Sequence, residues 1–261
     1  MQSVSYIYRT KVHFSAPVRS HYFLLRCLPA PTPFQETVLE KCHIFPQIEL
    51  CRSVDSFGNI VQSGSILESH DYFEIESYGE IRTIADYYIL QAYCNPIYKY
   101  PSKYTAPSDE IRTLHKSVNL HKGVSITEQV HIFSRLVHDS LIYEKLATTT
   151  TTTAADALLM GKGVCQDFAH LLISLCRLSN IPARYVTGFI EGEGFTHAWI
   201  EFYDNGFWMA IDPTHNRFVK QGYIKLSHGR DYEDCSVERG VFSGIAEQKL
   251  EVFLNVWIKE M

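Results

Sequence analysis

In GKGVCQDFAHLLISLCRLSNIPARYV, residues 161–186, a cysteine follows two glycines and opens an apolar run. Phe168, Leu171, Leu172, Leu175, Cys176 and Leu178 recur with helical spacing, so a helix is predicted from near Cys165 to SNIPA. A helix N-terminus presents unpaired N–H groups and a partial positive charge, both of which favour a thiolate. The glycines permit a tight turn that leaves the sulfur accessible. Acyl transfer by a thiolate needs a base to take its proton and deliver one to the leaving group. That base in turn needs an orienting carboxylate. His197, in FTHAWIEF, starts a strand-like segment, and Asp212, in WMAIDPTHN, ends the next one. DNG at 204–206 joins the two as a hairpin. The start of one strand then faces the end of its neighbour, which brings His197 towards Asp212. A helix carrying Cys165 on this sheet would complete a Cys-His-Asp set.

The elements that position these residues divide the chain into parts. Residues 1–95 alternate aromatic and β-branched residues, as in SVSYIYRTKVHF, YFLLRCL, VLEKCHIF and YFEIES, with turn signals at PAPTP and DSFGN. This part reads as an antiparallel β-sandwich or barrel. Residues 96–124 hold Pro96, Pro101 and Pro107 without periodicity and read as a linker. From 125 to 261 the pattern is α+β. Ser125 and Glu128 form a capping box, and Ile126, Val130, Phe133 and Val137 share one helical face. The six threonines at 148–153 read as a solvated connection into ADALL, with no chemistry assigned. ARYVTGFI, THAWIEFY and GFWMAID are strands, and KLEVFLNVWIKE reads as a further one.

GVCQDFAHLL, IPARYVTG, THAWIEF and DPTHN together resemble the transglutaminase-like superfamily of papain-like cysteine enzymes. PVRSHYFLLRCLP and DSFGN are similar to the β-rich region that precedes this core in bacterial members. The resemblance implies a papain-like core in which Cys165 is the nucleophile, His197 the general base and acid, and Asp212 the orienting residue. One oxyanion donor would be the Cys165 backbone N–H at the helix start. Animal transglutaminases use a tryptophan upstream of the cysteine, whereas Trp199, Trp208 and Trp257 all lie downstream. Gln166 and Tyr143 are the alternatives for the second donor. The implied reaction is thioester-mediated hydrolysis of a peptide or carboxamide bond, as in a cysteine protease or amidase. Crosslinking by a protein-glutamine transglutaminase is the alternative, and a non-catalytic scaffold keeping the fold is the reading from another class.

Other side chains read as structural. Cys176, well along the same helix, belongs to the core. His170 reads as a hydrogen-bonded packing histidine, Asp167 as a first-turn carboxylate favoured by the helix dipole. Arg184 and Tyr185 read as strand-start residues, and Trp199 and Trp208 as sheet packing. His215 is a secondary candidate for the cleft.

Composition narrows the class. The 261 residues, 46% hydrophobic and 20% charged, carry a net charge of −5 with no basic block, so no nucleic-acid partner is expected. MQSVSYIYRTKVHF lacks the apolar core of a secretory signal, and no apolar run reaches bilayer length. A cytoplasmic protein without membrane contact is expected, acting on a peptide or protein substrate. The seven cysteines are irregularly spaced, with no CxxC, and there is no HExxH. Neither a disulfide framework nor a metal is therefore expected, nor is an organic cofactor implied.

Overall fold

A computed structural model describes residues 2–84 and 87–259. The chain is strand-rich and its two large sheets are antiparallel and curled. The alternating N-terminal residues form β1 (Gln2–Leu25), a single strand of 24 residues. After it come β2 (Gln35–Phe45), β3 (Cys51–Val54), β4 (Ile60–Ile66) and β5 (His70–Thr83). The first half of β1 pairs with β5, from Gln2↔Thr83 to His13↔Tyr72. The register then shifts between His13 and Val18, and the second half pairs with β4 instead. One bent strand thus serves two stretches of sheet, which close over Val4, Tyr6, Tyr8, Phe23, Leu25, Ile75 and Ile81. DSFGN is the β3–β4 turn, in which Asp55 Oδ1 accepts the N–H groups of Phe57 and Asn59 at 2.9 and 3.0 Å.

Next come β6 (Ile89–Gln91) and α1 (Asp109–Lys116). The stretch expected as a linker therefore carries a helix of its own, and Ile111 of that helix is fully buried in the same core as the Cys165 helix. In α2 (Ile126–Ser140) Ser125 Oγ caps the Glu128 N–H at 3.2 Å, and Val130, Phe133 and Val137 are buried. The parallel pair β7 (Ile142–Tyr143) and β8 (Lys162–Gly163) brackets α3 (Ala154–Met160). After α4 (Cys165–Leu178) come β9 (Ala183–Ile190), β10 (Gly192–Gly194), β11 (His197–Asp204), β12 (Phe207–Asp212), β13 (Arg217–Phe218) and β14 (Tyr223–Gly229). All of these strands except β10 form a sheet in the order β13-β12-β11-β9-β14, with β6 also on β12. The chain closes with α5 (Tyr232–Cys235), β15 (Glu238–Ser243) and β16 (Gln248–Lys259).

Both last strands return to β1. β16 lies against its first half, from Ser3↔Lys259 to Phe14↔Gln248, and β15 against its second, ending at Leu25↔Glu238. The strand in KLEVFLNVWIKE, expected among residues of the C-terminal part, therefore completes the N-terminal sheet. Phe189, Ile224 and Leu226 of the second sheet join the core of the first, with the Phe189 ring 5.3 Å from Tyr6 and 5.2 Å from Tyr8. Local sequence carries no signal for pairings between such distant residues.

The second sheet contains a buried ionic cluster. Glu201 on β11 accepts from Arg184 of β9 through one oxygen and from Lys225 Nζ of β14 at 2.6 Å through the other. The Arg184 guanidinium also lies 4.0 Å above the Trp208 ring. Gln35 ties this cluster to β2, donating to the Lys225 carbonyl at 2.7 Å and accepting its N–H at 2.9 Å.

Candidate active site

Cys165 is the first residue of α4, as the glycine–helix junction predicts. Gly161 closes α3 in the left-handed region at φ +67°, a conformation that glycine adopts without strain. Gly163 is small for a different reason. The Asp167 side chain folds back, taking the Val164 N–H at 2.8 Å and the Thr148 hydroxyl at 2.6 Å on Oδ2. A Cβ at Gly163 would stand 2.6 Å from that same oxygen. Asp167 is thus a clamp on the turn before Cys165 as well as a dipole partner, and the threonine run supplies half of its satisfaction. Gly163→Ala is expected to cost about 1–3 kcal/mol, as overpacking typically does. Chemical denaturation would measure it, and an unchanged midpoint would contradict the clamp.

His197 and Asp212 come together through the hairpin. Asn205 (φ 46°) and Gly206 (φ 93°) both take the positive φ of a type I′ turn, and the register runs from Asp204↔Phe207 to Ile200↔Ile211. Continued by one position, it sets Asp212 opposite Trp199, on the face that His197 shares. His197 Nε2 bonds Asp212 Oδ2 at 2.8 Å. The other ring nitrogen is left for Cys165, which lines the same cavity and acts electrostatically on the imidazole. Burial works against an imidazolium here. The bond to Asp212 and the interactions with Cys165 outweigh it, and the His197 pKa is raised to about 10.

Asp212 is fully buried. Its Oδ2 also accepts from His215 Nδ1 and from the Tyr223 hydroxyl, both at 2.7 Å, while Oδ1 takes the Thr214 N–H at 2.9 Å. Burial alone would favour the neutral acid, yet the two histidines hold the carboxyl well below the usual carboxylate range. Arg217 Nε donates to Tyr223 Oη at 3.0 Å, extending the chain of donors outward. His215 is therefore a direct partner of Asp212. Nothing in the sequence points to Tyr223, because it reaches the site from β14, two strands away from β11 in the sheet. Among the described residues, His197, Asp212 and His215 are the group whose possible metal-binding atoms come within 4.8 Å of one another. Both imidazoles meet one carboxylate oxygen at hydrogen-bond distance, the geometry of two donors on one acceptor.

Cys165 and His197 open onto a cavity of about 480 Å³. Gln166 and Tyr143 both line it, as do Thr150, Tyr185 and Phe195. Gln166 turns its amide towards the Thr150 carbonyl at 3.4 Å. The threonine stretch is therefore a wall of the cleft, where its composition predicts a solvated connection. The opposite wall comes from the N-terminal sheet: Tyr8 and Thr10 of β1, Glu238 of β15, and Leu250 and Val252 of β16.

Cys176, Trp199, Trp208 and His170 are structural, as their sequence positions suggest. Cys176 is fully buried and burial raises its thiol to about 12. Trp199 and Trp208 are buried in the sheet. His170 is buried beside the Tyr104 and Tyr185 rings and accepts the Tyr232 N–H at 3.1 Å. Burial, aided by the Arg177 charge, lowers its pKa to about 3. An unfolded histidine titrates near 6.5, so between about pH 3 and 6.5 the unfolded chain binds the extra proton. His170 therefore lends no penalty above pH 6.5 and destabilises the fold progressively as pH falls below it. Wild-type thermal midpoints should drop across this interval more steeply than those of His170→Gln, which keeps an acceptor. Parallel profiles would contradict this.

Residues 112–213 match the model of the transglutaminase-like superfamily, and residues 4–82 that of the bacterial transglutaminase-like N-terminal region. The chain belongs to the transglutaminase-like superfamily and carries the N-terminal region of its bacterial members. It is 31% identical over 166 residues to an uncharacterized protein of Mycobacterium leprae, covering 60% of this chain and 58% of that one. An uncharacterized protein of Mycobacterium tuberculosis is 31% identical over 132 residues, covering 44% and 42%. The chain thus spans about half the length of the curated relatives it matches. A crystal structure from Cytophaga hutchinsonii, assigned provisionally as a cysteine protease, superposes with a TM-score of 0.80 at 22% identity, over 100% of this chain and 92% of that one. That likeness extends the shared fold through both parts. No helix among the described residues is long and apolar enough to cross a membrane.

Proposed function

We propose that the protein is a cysteine-dependent acyl transferase that works through a thioester and hydrolyses a peptide or carboxamide bond. The observation that carries this reading is the His197–Asp212 hydrogen bond beside Cys165, with Cys165 and His197 lining one cavity. Cys165 Sγ attacks the carbonyl carbon after its proton has passed to His197. The tetrahedral oxyanion meets the Cys165 backbone N–H, which as the first of the helix has no carbonyl one turn earlier. Collapse breaks the C–N bond, and His197 gives its proton to the departing amine. Water then enters, His197 takes a proton from it, and the C–S bond breaks to release the acid and restore the thiol.

Tyr143 fits the second oxyanion donor better than Gln166. Its hydroxyl makes no hydrogen bond among the described residues, whereas the Gln166 amide faces Thr150. Burial, reinforced by the charge at Cys165, raises the Tyr143 pKa, which keeps the phenol able to donate. Asp212 fixes the ring of His197 and balances the imidazolium.

The fold division into a β-rich part and a papain-like part, with a sandwich arrangement in the first, belongs to the same proposal. So does a peptide or protein substrate. The test is alkylation by iodoacetamide across pH, followed at each cysteine by mass spectrometry. Cys165 should react fastest and retain that reactivity below pH 7, and His197→Ala should abolish the advantage. Equal, slow labelling at all cysteines would refute the nucleophile. Incubation with casein and a fluorescent amine then separates the outcomes. Unlabelled fragments indicate hydrolysis, and labelled intact chains indicate transamidation.

A further inference from the structure

Glu238 stands in the wall of the Cys165 cavity that the N-terminal sheet provides. It is the first residue of β15, and its side chain is turned inward onto β1. Tyr8 and Thr10, two apart on β1 and so on one face, both donate to its Oε1 at 2.7 Å. Both hydroxyl residues are themselves buried. Oε2 receives no hydrogen bond among the described residues, and no described cation pairs with the carboxylate. Arg239, its neighbour in sequence, turns away to Glu233 at 3.6 Å. Lys145, the lysine of the same cleft, lies over the Phe195 ring instead.

Two neutral hydroxyls are thin compensation for a half-buried carboxylate, since charges taken out of water are normally paired. Nothing in the packing requires an acid there, because Oε1 could be matched by an amide oxygen at far lower cost. The free oxygen and the missing cation therefore point to a partner that arrives with the substrate. We propose that Glu238 is a specificity residue that binds a protonated primary amine of the substrate in the Cys165 cleft. The ammonium belongs either to the amine that accepts the acyl group or to the peptide that donates it. The donors on Oε1 hold the carboxylate in the cavity wall and leave Oε2 without a described donor. Burial pushes the Glu238 carboxyl up further than the two hydroxyls draw it back, so an arriving ammonium would supply the charge partner that favours the carboxylate. This inference rests on the cleft being the substrate site.

The test needs no turnover. In the full-length protein, Cys165 is modified with 2-aminoethyl methanethiosulfonate, which carries an ammonium, or with 2-sulfonatoethyl methanethiosulfonate, which carries an anion. Rates are read by mass spectrometry, with the exposed Cys51 as the reference in the same molecule. The cation-to-anion rate ratio at Cys165 should exceed that at Cys51 by about tenfold, the order of effect a nearby desolvated charge has on local concentration. Glu238→Gln, which still accepts from Tyr8 and Thr10, should bring the ratio to the Cys51 value. Glu247→Gln removes the same net charge outside the cleft and should leave it unchanged. A ratio unaffected by Glu238→Gln overturns the inference, even if Cys165 proves to be a competent nucleophile. Failure of the acyl-transfer reading would appear separately, as loss of the His197 dependence of alkylation. Protection against methyl methanethiosulfonate then identifies the source of the amine. Cadaverine protecting Cys165 assigns it to the acceptor. Glycyl-glutamine amide protecting where its N-acetyl form does not assigns it to the donor. Protection by neither overturns a substrate role.

Discussion

Asp212→Asn is expected to lower the rate of amide cleavage by about 10⁴-fold while leaving the fold in place. The asparagine has the volume of the aspartate, so the size of the loss reflects proton placement rather than packing. Asp212 Oδ2 accepts from three side chains, His197, His215 and Tyr223. An amide that presents its NH₂ to His197 Nε2 makes that nitrogen an acceptor and moves the ring proton to the other side. The proton then points at Cys165, where the mechanism needs a lone pair. An amide turned the other way keeps the tautomer but sets NH₂ against the backbone N–H of Thr214, and loses the charge that steadies the imidazolium. Single-turnover cleavage of a casein-derived peptide would measure the effect. A rate within tenfold of wild type would show that Asp212 does not orient His197.

Glu201→Ala is expected to destabilise the protein by about 3–5 kcal/mol, the usual cost of stranding a buried charge. Here two cations lose their common partner. Arg184 and Lys225 are both buried, and each uses a different oxygen of Glu201. Desolvation already draws the Lys225 pKa down to about 7 with the carboxylate present. Without it the ammonium has the Tyr88 hydroxyl at 3.3 Å as its remaining side-chain partner and should shed its proton. Urea denaturation of wild type and variant gives the difference directly. A loss below about 1 kcal/mol would mean that the cluster is held by packing alone.

The candidate site was the most legible part of the sequence, because each of its residues sits at a local landmark. Cys165 follows the glycines, His197 opens a strand, and Asp212 closes the strand after an Asn-Gly turn. Periodicity also revealed α2 and α4, whose buried faces follow the apolar spacing. What escaped was set by pairing between distant segments. Tyr223 reaches Asp212 because β14 lies beside β9, which no neighbouring residue announces. Thr148 looks like part of a polar tract, and its bond to Asp167 depends on how α3 and α4 fold back. Glu238 is an ordinary acid in sequence until β15 lays it on β1. Sheet pairing over such separations has no local code, so the walls of the cleft could not be read in advance.

The pairing of β1 with β16 has a consequence for when the thiol becomes dangerous. Tyr8 and Thr10 on one strand and Leu250 and Val252 on the other meet across that ladder to wall the cleft. A nascent chain can form α4 and the β11–β12 hairpin, which carry Cys165, His197 and Asp212, well before β16 is synthesised, but it cannot close the cleft. Contacts between residues so far apart are also the slowest to form. On the proposed function, the nucleophile is thus assembled early and its selectivity late. During that interval the half-built protein exposes an unpaired edge of β1, and a folding helper that shields this edge would protect the cell and the chain together.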